Sequence, residues 1–485
     1  MDATVARDEA RPLTHQDARA IVCGVLLPVF MGSLDTTILA SALPTIGAEL
    51  GNVHALPWLI TAYLIASTSV TPLYGKISDI RGRRVTLAVA ISIYMAGSLV
   101  CALAPDMLVL ILGRILHGLG GGGLTSLGMV VLGDVAAPRD RGRYYAYFSL
   151  TYTTAGACGP ALGGFLSDHW HWSMIFWLNI PLGLIALALT SALLRRLPRH
   201  ERPHRLDVAG ALLIMAGSVC FMLALNLAGV RLPLWSPAIL TLFGLALLLG
   251  VGFVARLLTA PEPLIPIAIL ANPEARLAIT ANAFGWGSII GLNIFLPMFL
   301  QSALGVSATN AGLSLMILMV TLNLSAGATG QLIGRTGRYK AVPLAGLTLS
   351  ILAVAALAWR GAGVGAWEFE ILIALVGLGF GPLPPLSSVV LQNSVAIHQF
   401  GTAVGTMNFT RNLFATMLVA IFGAIVLGKV APDAAATSGL AAAGAEGFTG
   451  VFVAAAACLA VALTALVVLK EKPLATSVAA ETRST

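Results

Sequence analysis

The sequence predicts an all-α integral membrane protein of fourteen spans, built as two six-helix bundles with two extra helices between them. Three observations carry that prediction. Only 10% of the 485 residues are charged and 58% are apolar, whereas a soluble chain carries about a quarter charged residues. Apolar segments recur at roughly the 20 residues that a helix needs to cross a hydrocarbon core about 30 Å thick. Lysines and arginines, finally, fall almost entirely in alternate connections.

In chain order, residues 1–19 mix Asp2, Arg7, Asp8, Glu9, Arg11, Asp17 and Arg19. That is unlike the basic start of a cleaved signal peptide and reads as a short cytoplasmic tail. Six spans follow near 20–46, 56–75, 84–104, 107–133, 143–167 and 173–194, forming an N-terminal bundle over 20–194. A basic linker, 195–207, leads to two additional spans near 208–229 and 236–257, within 208–257. After a second linker, 258–275, come spans near 276–302, 308–333, 340–360, 368–393, 401–428 and 447–469. These make a C-terminal bundle over 276–469, followed by a tail, 470–485.

With the N-terminus inside, 23 of the 28 Lys and Arg residues lie on one side. Three, Arg231, Arg360 and Lys429, lie on the other, and Arg114 and Arg411 stand within spans. The positive-inside rule then makes both termini cytoplasmic. The net charge of +7 is therefore spent on topology, and no nucleic-acid partner is expected. All five cysteines (Cys23, Cys101, Cys158, Cys220, Cys458) fall in apolar segments without CxxC spacing and read as small buried hydrophobes.

The loop after the second span reads Gly75-Lys76-Ile77-Ser78-Asp79-Ile80-Arg81-Gly82-Arg83-Arg84. A degenerate copy, Gly330-Gln331-Leu332-Ile333-Gly334-Arg335-Thr336-Gly337-Arg338, follows the second span of the C-terminal bundle, with Gly334 where the first has Asp79. Repeated halves are the plan of a transporter that rocks one bundle against the other around a midplane site.

Four segments resemble the major facilitator superfamily, and within it the fourteen-span drug:proton antiporters. They are Leu34-Asp35-Thr36-Thr37-Ile38-Leu39-Ala40-Ser41-Ala42-Leu43-Pro44, with Ser41 for a frequent Asn; the 75–84 loop; Leu112-Gly113-Arg114-Ile115-Leu116-His117-Gly118-Leu119-Gly120; and Gly156-Ala157-Cys158-Gly159-Pro160-Ala161-Leu162-Gly163-Gly164. The resemblance covers nearly the whole chain. It implies a major facilitator fold, alternating access and proton-driven export of small amphiphiles across a bacterial-type inner membrane, with a monomer as the expected working unit.

Asp35 has no lysine or arginine near it in its own span, so its carboxylate is costly to ionise. It is expected to take up a proton from one side and lose it to the other. Arg114 cannot shed its proton and must find an anion or carbonyls. It lies at a depth similar to that of Asp35, and the resemblance implies that the two helices pack together. An Asp35–Arg114 pair that loosens on protonation is the expected switch, with His117 one turn below Arg114 as a candidate relay.

In the signature loop, Gly75 and Gly82 permit a tight turn, and Asp79 can accept from helix N-termini or from Arg83. Together with Arg81 and Arg84 these residues read as an interdomain latch, with Arg139, Arg141 and Arg143 beyond Asp134 as further partners. Gly159 and Gly163 form a close-packing face and Pro160 can bend the fifth span. The resemblance marks Gly156, Gly159, Pro160, Gly163 and Gly164 as the antiporter motif and so favours export.

Candidate cavity residues are Tyr63, Asn282, Trp286, Asn293, Asn408 and Arg411, with aromatic walls from Trp58, Phe284 and Phe295. No acid stands in the seventh or tenth span to neutralise Arg411, Glu274 and Glu368 lying at ends. That points away from dications, toward monocationic, neutral or anionic amphiphiles.

No cofactor or metal is expected. His200-Glu201-Arg202-Pro203-His204 spells HExxH, but Pro203 breaks the helical face that a zinc pair needs. His169-Trp170-His171-Trp172 reads as an interfacial aromatic belt, with His171 where the family usually has Arg. Without a phosphate-binding Gly-x-x-x-x-Gly-Lys-Ser/Thr loop, direct ATP use is not expected, and without GxSxG or paired carboxylates neither is a membrane enzyme. A lipid, fatty-acid or other solute transporter of the same fold, uncoupled or symporting, is the alternative.

Overall fold

The computed structural model describes residues 15–50, 55–135, 138–196, 206–228, 233, 235–306, 308–395, 399–427 and 445–471. The HExxH segment, most of the 195–207 linker and the distal parts of both tails lie outside the described residues. The N-terminal group of helices comprises α1 (His15–Leu50), α2 (Leu56–Arg81), α3 (Arg83–Ala102), α4 (Met107–Val135), α5 (Pro138–His169), α6 (Met174–Trp177) and α7 (Asn179–Leu193). Helices α8 (Val208–Leu227) and α9 (Pro237–Thr259) form a hairpin, and α10 (Ile267–Ala271) is a single short turn. The C-terminal group comprises α11 (Pro273–Leu304), α12 (Ala308–Thr336), α13 (Ala341–Arg360), α14 (Ala366–Phe380), α15 (Leu383–Ser394), α16 (Phe400–Leu427) and α17 (Ala445–Val468).

Twelve stretches among the described residues are long and apolar enough to cross a membrane, with α6–α7 and α14–α15 each counted as one. Helices α2 and α5, of 26 and 32 residues, match them in length but fall outside that set. The sequence expects fourteen spans, so twelve qualify on composition. The reason is composition: the uncharged stretches 58–75 of α2 and 144–161 of α5 are diluted by Thr, Ser, Tyr and Gly.

The caps follow from residue chemistry. Side-chain oxygens of Asp207, Ser236 and Asn272 accept from the backbone amides of Gly210, Ile239 and Ala275, satisfying first-turn donors of α8, α9 and α11. Gly305, at φ +65°, closes α11 in the left-handed region. Two spans expected as single helices are interrupted, at Leu178 and at Gly381–Pro382, where prolines 382, 384 and 385 begin a new helix.

Each half has a core of its own, and a third cluster reaches from the N-terminal half to Phe400, Val404 and Met407 of α16. In the C-terminal half, the Phe299 ring lies 5.2 Å from Phe452, 5.8 Å from Phe448 and 6.1 Å from Phe369. In the N-terminal half, Val25, Tyr94, Leu124 and Phe148 are buried together. The halves meet along two lines, α2 with α16 and α5 with α12. Ser149 Oγ on α5 lies 2.9 Å from the Asn323 backbone carbonyl on α12 and 3.1 Å from its Oδ1, and donates its one hydrogen within that pair. Asn408 Nδ2 on α16 reaches Ser126 Oγ on α4 at 3.5 Å.

Candidate functional site

Asp35, on α1, and Arg114, on α4, meet inside the N-terminal half. Arg114 Nη1 donates to both carboxylate oxygens, at 2.9 and 2.8 Å, while its Nε donates to the Leu59 carbonyl of α2 at 2.8 Å. The Tyr63 ring lies 4.4 Å from the guanidinium carbon, a cation–π contact. Asp35 is 2% exposed and Arg114 1%. Arginine is donor-only, so an event that neutralises Asp35 leaves a buried cation uncompensated. Breaking such a pair from one side costs about 3–5 kcal/mol.

His117 joins this pair. Its Nδ1 lies 3.0 Å from Arg114 Nη1 and 3.5 Å from Asp35. Because Arg114 can only donate, Nδ1 accepts and the ring proton sits on Nε2, which is buried without a hydrogen-bond partner. Tyr94, 3.9 Å away ring to ring, gives its hydroxyl to the Met31 carbonyl and offers Nε2 nothing. Tyr63, expected in the cavity, is drawn instead into this site, where its ring serves the Arg114 cation.

A second cluster ties the 75–84 loop to the other half. Asp79 Oδ1 accepts from Arg83 Nη1 at 2.5 Å and from the Gly401 amide at 3.1 Å. Its Oδ2 accepts from the Thr402 amide and hydroxyl, both at 2.7 Å. A carboxylate capping the first turn of α16 is electrostatically favoured. Arg83 Nε donates in turn to Asp134 Oδ2 at 2.7 Å. Both expected partner types, an arginine and a helix N-terminus, are therefore on Asp79 at once. The partner of Asp134 is Arg83; the side chains of Arg139, Arg141 and Arg143 lie outside the described residues. Arg81 is exposed, Arg84 is half-buried, and neither joins the network.

Gly75 is needed for approach: a Cβ there would sit 2.5 Å from the Gly401 carbonyl oxygen. Gly82 has φ +85° and its counterpart Gly337 φ +68°, so the sequence repeat is also a repeat of backbone conformation.

The antiporter-motif residues divide. Gly159 packs so closely on α1 that a Cβ would collide with Thr37, and Gly163 is buried. Gly156 and Gly164 have open space where a Cβ would go. Helix α5 runs unbroken through Pro160. The cavity candidates divide too. Arg411 lies 4.9 Å above the Trp286 ring, and Asn293 is half-buried, bonded to its own helix at the Ile289 carbonyl. Asn282 is 3% exposed with Oδ1 unpartnered, Asn408 belongs to the contact between halves, and Phe295 is core.

Residues 25–419 match the Major Facilitator Superfamily. The chain belongs to that superfamily. It is 31% identical over 408 residues to the multidrug transporter protein MdtP of Bacillus subtilis, covering 84% of this chain and 75% of that one. Against the efflux pump dotC of Dothistroma septosporum it is 31% identical over 412 residues, covering 84% and 71%. Among solved structures, a bacterial homologue of the iron transporter ferroportin in an outward-facing state aligns with a TM-score of 0.65 at 14% identity, over 93% of this chain and 98% of that chain. The proton:xylose symporter XylE aligns with a TM-score of 0.64 at 14% identity, over 95% and 98%. These similarities make the chain a multi-pass major facilitator transporter and not an enzyme.

Sequence reasoning missed three acids of this major facilitator protein. Asp134 was visible only as the residue before a run of arginines. Glu49, at the end of α1, accepts from His171 Nε2 and Trp172 Nε1, each at 2.8 Å, which gives the His-Trp-His-Trp segment its local contact. Glu370, two residues beyond Glu368, stands inside α14 rather than at its end. The charge scarcity that marked Asp35 would have marked Glu370 as well.

Proposed function

We propose that this protein is a proton-coupled antiporter that exports small amphiphilic compounds by alternating access. In this reading α2 and α5 complete fourteen spans, the 75–84 loop is cytoplasmic, both termini are inside, and the membrane is a bacterial-type inner membrane. The observation that carries the reading is the Asp35–Arg114–His117 cluster. A carboxyl group and a permanent cation, both buried in one half, give a proton something to displace. A proton on Asp35 weakens its hold on Arg114, and the freed guanidinium retains the Leu59 carbonyl, the His117 ring and the Tyr63 and Phe176 faces.

The remaining assignments support the cycle. Asp79, with Gly75, Gly82 and Arg83, acts as a latch closing the cytoplasmic side, so the state described here opens outward. Gly159, where a Cβ would collide with Thr37, sets the α1–α5 approach on which the Asp35 site rests. Trp286, Arg411, Asn282, Asn293 and Asn408 face the route between halves, where an amphiphile meets an aromatic wall and hydrogen-bonding groups. The names of the relatives, multidrug transporter and efflux pump, support export.

The test is made in proteoliposomes with an imposed pH gradient, an internal pH dye and a panel of amphiphiles. Substrate-evoked proton release is expected in wild type, with at least a tenfold loss (about 1.4 kcal/mol) in a normally folded Asp35→Asn. Substrate movement without any proton signal in wild type overturns the antiport reading.

A further inference from the structure

Glu370 stands about 6 Å into α14, at 1.5 Å per residue from Ala366. Charged residues at such positions are rare and mark function when they occur. Its Oε1 lies 2.5 Å from Ser314 Oγ on α12, and its Oε2 is buried with no hydrogen-bond partner. The Ser314 hydroxyl is at the same time 3.1 Å from the Asn310 carbonyl oxygen.

One hydroxyl carries one hydrogen, so Ser314 cannot donate to both acceptors. The arrangement closes when the carboxyl supplies the second: Glu370 donates to Ser314, and Ser314 donates to Asn310. Oε2 has no partner in either state, and in a carboxylate it would hold part of an uncompensated negative charge. Among the described residues no lysine or arginine is paired with Glu370 to hold such a charge. Helices α12 and α13 pack against α14. The charged residue of α12 is Arg335, in its last turn, and that of α13 is Arg360. Arg360 is engaged by Glu368, at 2.8 Å, and Glu368, two residues before Glu370, projects from a different side of α14.

We propose that Glu370, with Ser314, is a second proton-binding site, in the half of the molecule opposite Asp35. Binding forms an O–H bond on Oε1 with a proton given up by a hydronium ion of the medium, which is left as water, and makes the carboxyl neutral. Release breaks that bond and leaves an anion in the α12–α14 seam. The seam is tight below the site, where a Cβ at Gly377 would lie 2.6 Å from the Leu318 carbonyl. The anion is therefore relieved by parting the two helices at their Ser314 end or by admitting water there. Use of this proton in export rests on the antiport reading above; the proton site itself does not.

Infrared difference spectra of the full-length protein in liposomes, taken as external pH is stepped and in heavy water, test the proposal. A carboxylic-acid C=O band that responds to deuterium is expected in wild type. It is lost in Glu370→Gln, kept in Asp35→Asn, and moved in frequency by Ser314→Ala. Gln keeps the size of Glu and a hydrogen bond to Ser314, so Glu370→Gln is expected to fold. Identical carboxylic bands in wild type and a monodisperse Glu370→Gln overturn the site. The two readings fail separately: absent substrate-evoked proton release with the Glu370 band intact removes antiport alone. Intact release with no Glu370 band removes this site alone.

Discussion

Glu49 shows what one exposed carboxylate does at the end of a long helix. His171 Nδ1 accepts from the Ser173 amide at 3.2 Å, so the neutral ring carries its proton on Nε2 and donates it to Glu49. That hydrogen bond, with help from Trp172, holds the Glu49 carboxyl below its usual range. The folded state thus binds this proton less tightly than the unfolded one, and the contact stabilises the fold above the ordinary glutamate pKa of about 4.3. The benefit is lost as pH falls through the lowered value. Both side chains are about half exposed, so the contribution is under about 1 kcal/mol. Glu49→Gln is expected to lower the thermal midpoint slightly at about pH 7 and not at all at about pH 3; an equal effect at both would remove the ionic account. Legibility at this scale followed charge. Asp35 and Arg114 were readable because a charge inside an apolar segment must find a partner. The site of Tyr63 was not, since an aromatic ring on a span fits a cavity wall, a cation or a core equally well.

Between elements, the decisive approach is α2 on α16. The atoms facing Gly75 are backbone atoms of Gly401 and Thr402, which cannot swing aside as a side chain can. Gly75→Ala is expected to force the helices apart at a cost of about 1–3 kcal/mol and to pull the Gly401 and Thr402 amides off Asp79. The check is a cysteine at Thr402 probed with an impermeant maleimide from the loop side. Faster labelling in the Gly75→Ala background is expected, and an unchanged rate would show that the latch tolerates the methyl group. Most helices were legible because apolar length and basic connections are enough to define them. The breaks at Leu178 and Gly381–Pro382 were harder, because an apolar run reads the same whether or not its hydrogen-bond ladder is interrupted. The internal repeat was legible as letters, and Gly82 and Gly337 share a positive φ where each directly follows the last residue of a helix, Arg81 and Thr336. The second copy, lacking an Asp79 equivalent, turns to its own half: Lys340 Nζ donates to the Val467 and Leu469 carbonyls at 2.8 and 2.6 Å.

For the whole molecule, the two extra helices are where sequence offered only glycines and no role. Asp207 caps α8 and also accepts from Arg256 Nε of α9 at 2.9 Å, closing the hairpin at its base. Ser218 on α8 reaches Ser69 on α2 at 3.1 Å. Asp207→Ala removes both functions of that carboxylate and is expected to cost about 1–2 kcal/mol through the lost cap. The measurement is the thermal midpoint of the purified protein, and no change would mean that the hairpin is held by lipid packing alone. Helix α8 lies against both α2 and α16, on one of the two lines where the halves meet, and α9 turns Leu247 and Leu248 outward. Among the described residues, neither α8 nor α9 packs substantially against the line between α5 and α12. The inner bundle thus repeats itself while its rim does not, and the protein has two unlike flanks in the plane of the bilayer. A greasy molecule drifting sideways through the membrane meets a bare joint on one flank and a two-helix fender on the other.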